Sequence, residues 1–234
     1  MPIKSPKNFF FEELDFQPTP LGDLALRRRT VAALEDTEVY EITLGGGFLM
    51  SSLFTAVEIA LADLALNGRE GPLDVVVGGL GLGYTAQAAL KHPALRSLAV
   101  VEFLAPVIEW HRRGLVPLGS ALTSDPRCRF LHGDFFARAA DPVMGFDPAM
   151  PGAKWHAVLL DETNAAFYRP DGLRRLAAQL HPGGIFAMWS DGPPDDEFLH
   201  SLREVFPAAR AETVRFPNPL LEEESSSTVY LAPR

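Results

Sequence analysis

The chain has 234 residues, 47% of them hydrophobic, enough apolar material for one α/β domain with a small appendage. A formal net charge of -9 argues against a nucleic-acid partner, because such a surface repels a phosphate backbone. A lone cysteine (Cys128) and six scattered histidines give neither a disulfide framework nor a metal-ligand spacing, and no apolar run is long enough to span a membrane, so the expectation is a cytoplasmic, metal-free protein without membrane contact.

The first 50 residues differ from the rest and predict a small β-rich appendage. Leu21 to Arg28 and Glu38 to Leu44 read as short strands, and Gly45-Gly46-Gly47 as a turn into Phe48-Leu49-Met50. Ser51 or Ser52 then stands where a cap would begin a helix from Leu53 to Leu66, ended by Asn67-Gly68. From Leu73 onward strand and helix alternate. The expected strands are Asp74–Val77, Leu98–Glu102, Arg129–His132, Ala157–Asp161 and Ile185–Trp189. The expected helices are Tyr84–Lys91, Pro106–Arg113, Asp171–Leu180 and Asp195–Val205, with Pro106 suited to a first turn. Alternation of this kind predicts a doubly wound, mostly parallel sheet covered on both faces, with the loops after the strands along one rim. Thr213–Phe216 and Thr228–Ala232 have no helix between them and predict a closing antiparallel hairpin with a long loop, Pro217 to Ser227.

Three signals fall after successive strands. The run Val75-Val76-Val77 breaks into Gly78-Gly79-Leu80-Gly81-Leu82-Gly83, where glycines permit positive φ and bring main chain close to a ligand. Glu102 ends the second strand, where a carboxylate can accept from both hydroxyls of a ribose. Gly133-Asp134 follows the third strand, where the aspartate can accept from an adenine amine while Phe135 or Phe136 packs on the ring. Each signal has a plain structural alternative: a turn, a helix cap or a strand-end acid. Gly81-Leu82-Gly83-Tyr84-Thr85-Ala86 also matches a dinucleotide pattern, which leaves NAD as a distant alternative. Taken in order and on one rim, the three predict an adenosine site.

Val75-Val76-Val77-Gly78-Gly79, Val100-Val101-Glu102, Asp125-Pro126-Arg127, Gly133-Asp134 and Leu159-Leu160-Asp161 resemble the spermidine synthase (polyamine aminopropyltransferase) family within the class I S-adenosylmethionine-dependent transferases. The resemblance runs from about Leu21 to the C-terminus. It implies a Rossmann-like, seven-stranded cofactor-binding catalytic domain over residues 51–234. Gly79, Gly81, Gly83, Glu102, Phe103, Asp134 and Phe135 would hold S-adenosylmethionine or its decarboxylated form, without metal. It also implies Asp161 as the base, a small-molecule amine as acceptor, and a homodimer. The chain departs from the family pattern in several places, among them Leu49 and Met50 where the family turn has a glutamine, and Pro217-Asn218-Pro219 where it has a longer proline-rich lid. Asp161-Glu162-Thr163-Asn164 keeps only the first aspartate of D-x-x-D, Gly81 or Leu82 stands where the family loop has its aspartate, and Ala56 stands where a tyrosine precedes the helix glutamate. Transfer of an aminopropyl group to an amine is therefore the first expectation. Small-molecule methylation and a non-catalytic adenosine-ligand-binding protein are the alternatives.

Overall fold

The computed structural model describes residues 10–160, 168–221 and 223–234. Strands β1 (Phe11–Thr19), β2 (Gly22–Val31), β3 (Thr37–Leu44) and β4 (Gly47–Ser51) form an antiparallel sheet in chain order. Strand β1 escapes the sequence pattern for a local reason. A register shift between Glu13 and Asp15 breaks the two-residue period, so its apolar positions Phe11, Leu14 and Phe16 are unevenly spaced. Helix α1 spans Ala56–Leu66 and begins later than expected. Neither serine caps it: Ser51 Oγ accepts from Leu53 N at 3.1 Å and Ser52 Oγ from Tyr40 N at 2.9 Å, so both shape the turn ahead of the helix instead.

The remaining elements are β5 (Leu73–Gly78), α2 (Tyr84–Leu90), β6 (Leu95–Glu102), α3 (Ala105–Arg112), α4 (Gly119–Ser124), β7 (Cys128–His132), α5 (Phe135–Ala140), β8 (Trp155–Leu160), α6 (Pro170–Gln179), β9 (Leu180–Asp191), α7 (Asp196–Arg203), β10 (Arg210–Asn218) and β11 (Glu223–Pro233). They build a seven-stranded sheet in the order β10-β11-β9-β8-β5-β6-β7. Pairs from β9 to β7 run parallel, whereas β11 pairs antiparallel with both β9 and β10. The expected α/β architecture with a terminal hairpin is therefore present. The expected loop from Pro217 to Ser227 is mostly ladder, because pairing continues to Asn218↔Glu223. Polar residues in an edge hairpin carry little hydrophobic signal, which hides the extra strand length.

The run Val75-Val76-Val77 shows how the sheet is covered. Val75 and Val77 join one core with Leu61 of α1 and Val107 of α3. Val76 faces the other way and joins Leu173 of α6 and Leu202 of α7. Successive strand side chains point to opposite faces, so a continuous apolar run is what a doubly covered strand requires. The chain steps from β5 outward to β6 and β7, then returns to lay β8 on the other side of β5. That reversal opens a crevice beyond the C-terminal ends of β5 and β8, the place where such sheets bind ligands.

Candidate functional site

The glycine loop fills one side of this crevice. Gly79 donates its N–H to the Val101 carbonyl at 2.9 Å, which ties the loop to β6. Gly81 and Gly83 have φ of 47° and 93°, a region side chains rarely adopt. Leu80 and Leu82 point into the core, so only backbone and glycine remain toward the crevice. Two neighbours hold the loop. His111 of α3 donates from Nε2 to the Gly81 carbonyl at 2.9 Å. Met50 of β4 brings its Sδ to 3.1 Å from Leu82 N, and a Cβ placed on Gly81 would run into that sulfur. His111 is fully buried, its Nδ1 has no partner among the described residues, and burial pushes its pKa down to about 4. It is a neutral donor that fixes the loop. A histidine within a helix pattern gives no hint of that role in the sequence.

Glu102 ends β6 and is 5% exposed. Its Oε2 accepts from Leu80 N at 2.8 Å and its Oε1 from Leu104 N at 2.6 Å. Burial pushes its pKa up, while backbone N–H groups of Leu104, Leu80, Gly81 and Phe103 pull the other way. Backbone N–H groups of Leu80, Gly81, Phe103 and Leu104 thus converge on this carboxylate and fix it at the cavity wall. Asp134 caps α5, with Oδ1 accepting from Phe136 N at 2.8 Å and Ala137 N at 3.1 Å. The capping alternative thus holds for one of its oxygens; Oδ2 carries no bond among the described residues. Phe135 is almost wholly core: a Cβ on Gly78 would overlap its ring, and it lies 5.0 Å from the Phe146 ring centroid. Phe136 is the more open ring of the two, and Phe103 is 40% exposed.

Gly79, Gly81, Glu102, Phe103, Asp134 and Phe135 border one cavity of about 1020 Å³. Gly83 sits behind it at the start of α2. The expected base, Asp161, lies outside the described residues, as do Glu162, Thr163 and Asn164; Asp161 directly follows β8. Trp189 and Asp191 reach the same cavity from the end of β9, and Ser227 donates to Asp191 Oδ1 at 3.3 Å. Glu58 enters from the first turn of α1. It is 6% exposed, and burial raises its pKa from 4.5 to about 7 although its own backbone N–H opposes the shift.

Among the described residues the lining carries four carboxyl groups (Glu58, Glu102, Asp134 and Asp191) and no lysine, arginine or histidine. Such a cavity attracts a cation. Its volume exceeds what one nucleoside needs. The described residues include no group of acidic, histidine or cysteine side chains arranged for a metal, and no helix long and apolar enough to cross a membrane.

No family model matches the chain. It is 24% identical over 185 residues to the polyamine aminopropyltransferase of Pyrobaculum neutrophilum, covering 73% of this chain and 62% of that protein. It is 26% identical over 171 residues to polyamine aminopropyltransferase 2 of Pseudomonas aeruginosa, covering 68% and 46%. The matched region thus spans roughly half to three-fifths of these relatives' length. Among solved structures, the spermidine synthase of Thermotoga maritima superposes with a TM-score of 0.74 at 16% identity, over 94% of this chain and 72% of that one. A spermidine synthase in complex with the transition-state analogue AdoDATO gives 0.72 at 15% identity, over 94% and 72%. Human methyltransferase-like protein 13 in complex with SAH gives 0.51 at 18%, over 76% and 79%. These likenesses establish the fold.

Proposed function

We propose that this protein is a transferase of the spermidine synthase-like kind, which binds an S-adenosyl donor in the crevice and moves its aminopropyl group to an amine. The observation that carries the reading is a single acid-lined cavity that gathers the glycine loop, Glu102 and Asp134 beyond the ends of β5, β6 and β7. The residues fit the donor by chemistry. A nucleoside offers ribose hydroxyls and an exocyclic amine, all donors, and the cavity answers with carboxylate acceptors. A sulfonium is a cation, and the lining has acids with no competing base among the described residues. The donor, when bound, supplies an electrophilic carbon attached to a thioether leaving group.

The protein's own work is binding, orientation and proton transfer. Glu102 holds the ribose, Asp134 the adenine edge, and the bare backbone at Gly79 and Gly81 lets the ligand lie close. A free aliphatic amine has a pKa of roughly 10, so the acceptor arrives protonated and must give up that proton before its lone pair is available. We assign that step to Asp161, the residue that follows β8 in the sequence, with Asp191 as a second anion to receive the ammonium.

Methyl transfer from intact S-adenosylmethionine is the second reading. It is favoured by the glycine loop itself, where Gly81 and Leu82 offer no acid to repel the donor's carboxylate. Calorimetry separates the two. Methylthioadenosine is expected to bind, and decarboxylated S-adenosylmethionine is expected to bind more tightly than the intact form. The reverse order supports methylation, and absence of all three removes the adenosine site. Glu102→Ala should weaken methylthioadenosine by roughly 1.5–3 kcal/mol for each charged hydrogen bond lost. Asp161→Asn should slow turnover without moving nucleoside affinity.

A further inference from the structure

The acid-lined cavity has a second, very different wall. Leu21 in the β1–β2 turn, Leu44 at the end of β3, Phe48, Leu49 and Met50 of β4, and Phe54 before α1 all line it. Phe48 and Leu49 are 64% and 51% exposed, so this wall is apolar surface left open at the mouth rather than spent on the core. An aromatic and a leucine facing water side by side leave roughly 25 cal/mol of unused burial for each Å² that a ligand covers. The same cavity is lined by Asp191, an exposed carboxylate at the end of β9 that accepts from Ser227 of β11, and by Ser225. The same space thus offers both an anion with hydroxyls and a hydrocarbon surface.

We propose that the acceptor is an amphiphilic primary monoamine, its ammonium on Asp191 and its alkyl or aryl body on the Leu21–Leu44–Phe48–Leu49–Phe54 wall, rather than a short diamine. This inference rests on the transferase reading and names the substrate class of that site. A diamine laid across the cavity would bring its second ammonium against hydrocarbon, where an unpaired charge loses its hydration without return. The other acid on that side, Glu58, is nearly sealed off at 6% exposed, so it offers a second cation little access. A monoamine leaves no charge stranded and gains from every methylene buried.

The test is a titration of n-butylamine, n-hexylamine, 2-phenylethylamine and putrescine into the whole protein at pH 7.5, with and without saturating methylthioadenosine. Each buried methylene is expected to tighten binding about fourfold, the equivalent of about 0.8 kcal/mol. Hexylamine and phenylethylamine should therefore bind at least tenfold more tightly than putrescine. Phe48→Ser and Leu49→Ser, both at exposed positions, should weaken hexylamine several-fold and leave methylthioadenosine unchanged. Asp191→Asn should weaken every amine. Putrescine binding as tightly as hexylamine, or no amine binding at all, overturns the proposal. So does unchanged hexylamine affinity in Phe48→Ser and Leu49→Ser, including the case where these variants instead shift a dimer to monomer in sedimentation, which would make the wall a self-association surface. Failure of methylthioadenosine to bind would overturn the adenosine reading; the amine series in the nucleoside-free protein then still decides the acceptor class.

Discussion

Two buried titratable side chains, Glu58 and His111, bracket the glycine loop region with opposite linkage to pH. Glu58 has a folded pKa of about 7 against an ordinary 4.5, so the folded state keeps a proton that the unfolded state releases. Its contribution to stability is present below pH 4.5 and is lost as pH rises toward 7. His111 has a folded pKa of about 4 against 6.5, so the folded state refuses a proton that the unfolded state accepts. Its contribution is present above pH 6.5 and is lost as pH falls toward 4. The two largely cancel over the shared window. Glu58→Gln removes one side of that balance: its stability relative to the parent protein should climb by about 1.4 kcal/mol per pH unit between pH 4.5 and 7. Urea melts of both proteins at half-unit pH steps would measure this, and a flat difference would show that Glu58 ionises freely in the fold. At this scale the sequence marks Glu102 and Asp134 as strand-end acids. It does not show that Glu102 accepts from the backbone of Leu80 and Leu104, or that Asp134 spends an oxygen on its own helix. Those bonds depend on where the next loop folds back.

At the scale of elements, the glycine loop is shaped by β4 as much as by its own glycines. Met50 Sδ contacts Leu82 N and fills the space a Cβ on Gly81 would need. Gly81→Ala should therefore cost about 1–2 kcal/mol for the left-handed backbone and more for the displaced thioether. The same substitution in a Met50→Ala background should cost only the backbone part, giving a coupling of about 1 kcal/mol in a double-mutant cycle. Additive effects would mean that Met50 swings away freely. The strand–loop–helix order around this turn is legible because apolar β-branched residues, then glycines, then alanines leave few alternatives. Strand β1 is not legible, because its bulge breaks the alternation. The α1 start is mislocated because Ser51 and Ser52 look like caps, while the β4 turn engages their hydroxyls first.

At the scale of the molecule, the N-terminal sheet and the large sheet share one core. Leu24, Leu26 and Ile42 are 0% exposed and belong to the same cluster as Leu61, Val75 and Leu98. Asp15 of β1 also accepts from Trp110 Nε1 of α3 at 2.6 Å. Removing residues 1–51 should therefore strip the cover from α1 and delete the apolar wall of the cavity together. The truncated chain is expected to be aggregated, or to keep helical circular dichroism while losing near-ultraviolet signal; a monomer with a cooperative melt would show that the large sheet stands alone. The sequence by itself determined the doubly wound sheet, its terminal hairpin and the order of loop, acid and acid along one rim. Strand period and glycine placement are local properties, and local properties are written in consecutive residues. Only the tertiary structure decided that the appendage lays Phe48, Leu49 and Met50 over that rim, and that His111 and Glu58 lose their water there. Contacts between residues some thirty positions apart follow from how the sheets pack, and no run of neighbours in the chain encodes them.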